Sequence, residues 1–282
     1  MKIGIIDYAY TRPYGVEEGF LRAAEHGYET LDCNIFTDVK SPIFGMALPE
    51  FEREMKRYRA AFASAGLSAS QAHGPWHSPD DYATEEARKF QFDAMVRSLY
   101  GAAYLGCENL VLHYIMPTGA VDRDLDEARK INLAFFADLV REAERIGVAV
   151  CIENMPFLGQ GLARPKEVLS LVRELDSDFC RVCLDTGHAA IFGIRPGDAV
   201  RAIGRDFLRV LHVHDNDGAR DLHLPPFSGV IDWEDFSSAL REIGFAGSLS
   251  LETAVPKEIP IGEERDRKER ELAALARKIA GR

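Results

Sequence analysis

Nowhere in the 282 residues is there an unbroken apolar run of the roughly 18 residues that a membrane-crossing helix needs, so no membrane association is expected. Long basic stretches are also missing. The formal net charge is −11, and such a surface repels polyanions, which weighs against a nucleic-acid partner. The late segment EERDRKERE mixes both signs and reads as a solvated helix face. Cysteine is sparse and odd in number: Cys33, Cys107, Cys151, Cys180 and Cys183. That pattern suits a reducing compartment rather than a disulfide framework. The one C-x-x-C, Cys180 and Cys183, falls in the strand-like FCRVCLD, where residues three apart point to opposite faces. Buried packing is therefore expected of both. No G-x-G-x-x-G fingerprint, linker or low-complexity segment occurs. The N-terminal MKIGIIDYAY enters a strand-like run without the longer apolar stretch of a signal peptide, so a cytoplasmic protein is the expectation.

What is present is an alternation. Eight short β-rich runs occupy 2–8, 28–34, 67–73, 108–114, 148–154, 181–187, 208–215 and 248–254. Between them lie amphipathic segments such as PEFEREMKRYRAAFASAG and LDEARKINLAFFADLVREAERIG, with apolar residues three and four apart. Several of these segments close on glycine just before the next strand (Gly27, Gly66, Gly106, Gly147, Gly244), as helix C-caps do. Pro49, Pro165 and Pro196 stand where helices should begin. Strict βα alternation implies a parallel sheet, and eight units in this length imply closure. The expected fold is an α/β (β/α)₈ TIM barrel, one domain over 1–282.

Chemistry in such a barrel sits at the C-terminal ends of the strands. Here ionisable residues end six strands in succession: His73, His113, Glu153, Asp185 with His188 one turn on, His212, His214 and Asp215, and Glu252. Asp221 and His223 follow in the loop after the seventh strand. In the fifth strand Ala149, Cys151 and Glu153 share a face opposite Val150 and Ile152; in the eighth, Ser248, Ser250 and Glu252 share one opposite Leu249 and Leu251. The bulky faces should meet the helices and the small ones the barrel interior. His212 and His214 share a face, so alternation does not choose between them. Carboxylates gathered in a dry cavity repel one another unless a cation intervenes. Mixed carboxylate and imidazole donors suit Mn²⁺, Zn²⁺, Co²⁺ or Mg²⁺. Trp76 and Phe157, at the same end, offer aromatic faces that either stack on a ligand ring or only roof the cavity. Gly159-Gln160-Gly161 reads as a flexible loop able to offer backbone N–H groups. Arg220 and Lys257 are candidate phosphate contacts.

The runs IEN, LDTGH, HVHDNDG with DLHLPP and IDW, and LSLET make the chain similar to the xylose isomerase-like barrel superfamily, over nearly its whole length. That group holds sugar isomerases, tagatose- and psicose-type 3-epimerases, inosose dehydratases and endonuclease IV-type AP endonucleases. Resemblance to the epimerases implies one metal on Glu153, Asp185, His212 and Glu252. It favours His212 over His214 because the family's metal histidine lies three residues before the strand-end acid, here Asp215. It also implies that Glu153 and Glu252 are the catalytic acid/base pair, exchanging a proton through an enediolate, with His188 contacting a substrate oxygen; Trp76, Asn154 and Arg220 are further candidate substrate contacts from their places near the strand ends. The expected activity is thus a metal-dependent isomerase or epimerase of a small sugar, sugar phosphate or keto-polyol. Resemblance to endonuclease IV implies instead a trinuclear zinc site, with His73, His113, His188, Asp221 and His223 as further ligands and His214 as another candidate. Two flanking segments depart from relatives: HYIMPTG around His113, where the endonucleases have His-Pro-Gly, and Phe227-Ser228-Gly229 after HLPP. A dehydratase or lyase using the same enolate chemistry is a third reading, and a non-enzymatic binding barrel a fourth. A homo-oligomer stays open.

Overall fold

The computed structural model describes residues 1–282 except Ala83, Ala120 and Asp122, and all eight expected strands form in it. They are β1 (Lys2–Ile6), β2 (Thr30–Cys33), β3 (Ser68–His73), β4 (Asn109–His113), β5 (Ala149–Glu153), β6 (Cys180–Asp185), β7 (Leu208–His212) and β8 (Ser248–Leu251). The helices are α1 (Tyr8–Tyr14), α2 (Val16–Glu25), α3 (Leu48–Ser64), α4 (Glu85–Leu105), α5 (Leu125–Ile146), α6 (Pro165–Leu175), α7 (Thr186–Ile191), α8 (Pro196–Ile203), α9 (Trp233–Glu242) and α10 (Glu263–Ala280). Neighbouring strands are parallel, in the order β7-β6-β5-β4-β3-β2-β1-β8. A parallel bridge between Val213 and Leu251 joins β7 to β8 and closes the sheet into a (β/α)₈ barrel. No helix among the described residues is long and apolar enough to cross a membrane.

Local chemistry explains the boundaries. α4 and α5 end on Gly106 and Gly147, at φ 73° and 83°, a left-handed conformation that only glycine adopts without a Cβ clash. Pro165 and Pro196 open α6 and α8, where a missing N–H costs nothing. Asp124 and Asp232 cap α5 and α9 by accepting bonds from the first-turn amides.

The alternation holds. Outward residues such as Leu110, Leu112, Val150, Ile152, Val182 and Leu184 join the large core between strands and helices. Val111, Cys151, Cys183 and Val210 form a separate small cluster on the inward faces. Cys180 and Cys183 therefore do lie on opposite faces, and all five cysteines are buried and free.

Every strand but β3 stops one to three residues earlier than the sequence pattern implies, and at three of them the cause is visible. β6 stops at Asp185 because that side chain caps α7, accepting from His188 N at 2.6 Å. β7 stops at His212, after which Asp215 pairs antiparallel with Leu224 and turns the chain away from the sheet. β8 stops at Leu251, leaving Glu252 just past its end with its N–H bonded to Val213 O.

Candidate functional site

Register brings the strand ends to one level. His113 is paired with Glu153 across β4 and β5, and Asp185 with His212 across β6 and β7. At the centre, Glu153, Asp185, His212 and Glu252 each offer a ligand atom, all within 4.8 Å of one another. His212 Nδ1 lies 3.0 Å from Glu153 Oε1 and 3.2 Å from Glu252 Oε2. One imidazole nitrogen carries at most one proton, so it cannot serve both carboxylates. Glu252 Oε2 is buried and accepts no hydrogen bond. A cation at this convergence would satisfy both groups, so the donor set fits a divalent ion.

Two further donor groups adjoin the first. His73, His113 and Glu153 form one, with His113 Nε2 3.2 Å and His73 Nε2 3.6 Å from Glu153 Oε2. His188, His214, Asp221 and His223 form the other. There His188 Nε2 and His223 Nε2 each stand 3.3 Å from Asp221 Oδ2, and His214 stacks on His223 at 4.1 Å. Glu153 joins the first two of these groups, with Oε1 toward His212 and Oε2 toward His113 and His73, and a further group sets it and His212 beside the buried thiol of Cys183. Asp185 links to the third group through His214 Nε2 at 3.0 Å.

The second ring nitrogen of His212 separates it from His214. Nε2 lies 2.9 Å from Asp32 Oδ2, deep in the barrel. Asp32 is itself fixed by Gln71 Nε2 at 2.9 Å and Asn34 Nδ2 at 3.3 Å. A carboxylate behind an imidazole fixes the tautomer and ring orientation of a metal-ligating histidine. Asp32 went unnoticed in the sequence because it interrupts the strand TLDC singly; its inward parity with the other site residues was the available signal.

The charges are strongly perturbed. Burial alone would raise Glu153, but His212, His113 and His73 around it hold its carboxyl well below the usual range. Glu252 moves the other way: burial raises it and the charges of Glu153 and Asp185 add to this, against His212 and His223. Burial opposes charge on His188, yet Asp185, Asp221 and Glu153 raise its pKa to about 10. His113 is lowered to about 4, chiefly by burial.

A cavity of about 430 Å³ opens over these groups. Of the residues singled out in the sequence, Trp76, Phe157, His188, His73, His113, Asp221, His223, Glu153 and Glu252 line it, with Tyr8, Arg12, Asn34, Thr37, Met155 and Pro156 beside them. Three expected contacts lie elsewhere. Asn154 is a strut, exchanging bonds with the backbone N and O of Asp185 at 2.9 and 3.1 Å. Arg220 pairs with Asp217 at 2.8 Å on the surface. Lys257 is exposed and outside the lining. Gln160 donates to Gly119 O, pinning the loop after β5 to the loop after β4. In the divergent Phe227-Ser228-Gly229 segment, Gly229 N bonds Asp215, whose carboxylate also holds Trp233 Nε1 at 2.9 Å.

A family model described as xylose isomerase-like TIM barrel matches residues 20–278. The chain belongs to that family. Within it, the D-psicose 3-epimerase of Ruminiclostridium cellulolyticum is 26% identical over 209 residues, 72% of this chain and 69% of that protein. The protein named "Probable endonuclease 4" of Haloarcula marismortui is 32% identical over 158 residues, 53% of this chain and 54% of that one. A crystal structure of a D-tagatose 3-epimerase-like protein shares the fold with a TM-score of 0.76 at 22% identity, covering 100% of this chain and 98% of that one. The first two curated relatives are matched over only 58% and 50% of their lengths.

Proposed function

We propose that this chain is a divalent-metal-dependent epimerase or isomerase of a small carbohydrate, in which Glu153 and Glu252 exchange a proton at the carbon beside a carbonyl. The observation that carries this reading is the convergence of both carboxylates on one cavity, with His212 Nδ1 3.0 and 3.2 Å from them. Glu153, Asp185, His212 and Glu252 would hold the ion. When bound, it supplies Lewis acidity toward the carbonyl and hydroxyl oxygens and so acidifies the adjacent C–H. Glu153 and Glu252, which flank His212 Nδ1, are the pair that would move the proton, one taking it from the carbon and the other returning it. His188 lines the cavity with Nδ1 on Asn154 O and Nε2 toward Asp221, and would meet a substrate oxygen by sharing or exchanging the Asp221 contact. Trp76 and Phe157 cover the opening and limit water.

The test is deuterium uptake. Metal-loaded protein is incubated in D₂O with ketoses, ketose phosphates and inososes, and the C–H signals are followed by NMR. Exchange beside the carbonyl, lost with chelator and reduced on the order of 100-fold or more in both Glu153→Gln and Glu252→Gln, is the expected result. Both variants staying active while folded would remove the acid/base assignment.

A second reading is supported by the three linked donor groups. With Glu153 and Asp185 as links, they would suit three zinc ions and a phosphoesterase that attacks phosphorus with metal-bound hydroxide. Three metal equivalents, no exchange with any carbonyl compound, and cleavage of abasic-site DNA would favour it.

A further inference from the structure

Among the described residues that line the cavity, Arg12 is the one lysine or arginine. It stands at the β1 side of the opening, in the last turn of α1, and its side chain is exposed there. The guanidinium is not free to wander: its carbon lies 4.1 Å above the ring of Tyr8, which also lines the cavity. Stacking on one face leaves the N–H edge available, the edge that recognises carboxylate and phosphate with two parallel bonds. The protein does not use it up. Arg12 forms no ion pair among the described residues, whereas Arg220, Arg201 and Arg265 each face an acid at 2.7–2.9 Å. The other charged lining residues are Glu153, Asp221, Glu252 and the histidines that face them. The inner cavity therefore holds its charges in carboxylate–imidazole pairs, and beside them the rim carries one fixed cation that no acid among the described residues claims.

This separation of charge orients a bipolar ligand. A carbonyl and hydroxyl end would enter toward Glu153 and Glu252, and a negative end would stay outside at Arg12. We propose that Arg12 is a specificity residue that binds a terminal anionic group, phosphate or carboxylate, on the sugar. The inference rests on the carbohydrate reading above and narrows it to anionic sugars. A neutral ketose would leave the guanidinium solvated and gain nothing from it.

The experiment measures binding and exchange separately. Calorimetry on metal-loaded protein compares a ketohexose, its terminal phosphate ester and its terminal carboxylate, using wild type, Arg12→Ala and Arg12→Lys. Wild type should bind an anionic member more tightly than the neutral ketose, and Arg12→Ala should reduce that preference roughly 10- to 100-fold, with partial recovery in Arg12→Lys. The tighter of the two anions identifies the group. D₂O exchange is run on the same panel. Exchange with no preference between charged and neutral sugars, or equal losses for both in Arg12→Ala, overturns the Arg12 inference and leaves the epimerase reading intact. Arg12-dependent binding of anionic sugars without exchange supports Arg12 and overturns the proton-transfer reading. Binding of the phosphate ester that persists unchanged in Arg12→Ala places the anion elsewhere and also overturns the inference.

Discussion

Asp7 offers a test in which the size of the effect follows from the structure. It lies just past β1, buried, with its Oδ2 accepting from Tyr58 Oη at 2.8 Å and Asn34 N at 3.1 Å. Burial pushes its carboxyl up to about 7, the Asp32 charge adds to the rise, and the two hydrogen bonds oppose it. An unfolded chain ionises the same group near pH 4. Between those values the unfolded state has lost the proton while the folded state keeps it, so stability falls as pH rises through that window. Above about pH 7 both states are ionised and the penalty is constant. Three pH units at about 1.4 kcal/mol each give roughly 4 kcal/mol, a large part of the total stability of most domains. Asp7→Asn keeps an acceptor for Tyr58 and Asn34 and cannot ionise. Urea unfolding of both proteins with chelator present, from pH 4.5 to 8.5, should show the variant gaining on wild type by most of that amount as pH rises. Parallel stability curves, separated by the same amount at every pH, would show that Asp7 is ionised throughout and refute the reasoning.

Other substitutions test the scaffold of the site. Asp32→Asn should weaken divalent-metal affinity roughly 10- to 100-fold with little change in unfolding temperature, because it loosens the orientation of His212 rather than the core; competition against a metal-chelating dye reads this. Gly187→Ala should cost about 1–3 kcal/mol, since the new Cβ would lie 2.1 Å from His214 Cε1, and His214 is fully buried against Asp185; thermal unfolding and metal stoichiometry check it together.

The barrel was legible because its signals are local. Period-two strands, glycine stops and proline starts each act within a few residues, and the structure reproduces all eight units. The gathering of ionisable residues at one rim was legible for the same reason, since strand ends lie together there. What escaped depends on partners far apart in sequence. His212 and His214 have the same parity, the resemblance alone favoured His212, and in space Glu153, Glu252 and Asp32 gather on His212 while Asp185 faces His214. Asn154 reads as a polar strand end open to substrate, yet both its amide atoms are used by the backbone at Asp185. Arg220 illustrates the opposite case: Asp217, three residues before it, was visible in the sequence and claims its charge. Arg12 carried no periodic signal, because it lies in a short helix inserted before α2, and only the packed Tyr8 ring reveals its place at the rim.

The seam of the barrel has a consequence for how the protein is made. The β7–β8 junction rests on the Val213–Leu251 bridge, and the residues facing each other beside it, His212 and Glu252, come from the ends of the seventh and eighth strands. A chain emerging from a ribosome presents Asp32, His73 and His113 early, but His212 follows His113 by 99 residues and Glu252 follows His212 by a further 40. The nascent chain therefore has no complete central donor set while its first half folds. The centre can be assembled only when the eighth strand docks, so the docking of that strand sets the earliest point at which all four donors can meet.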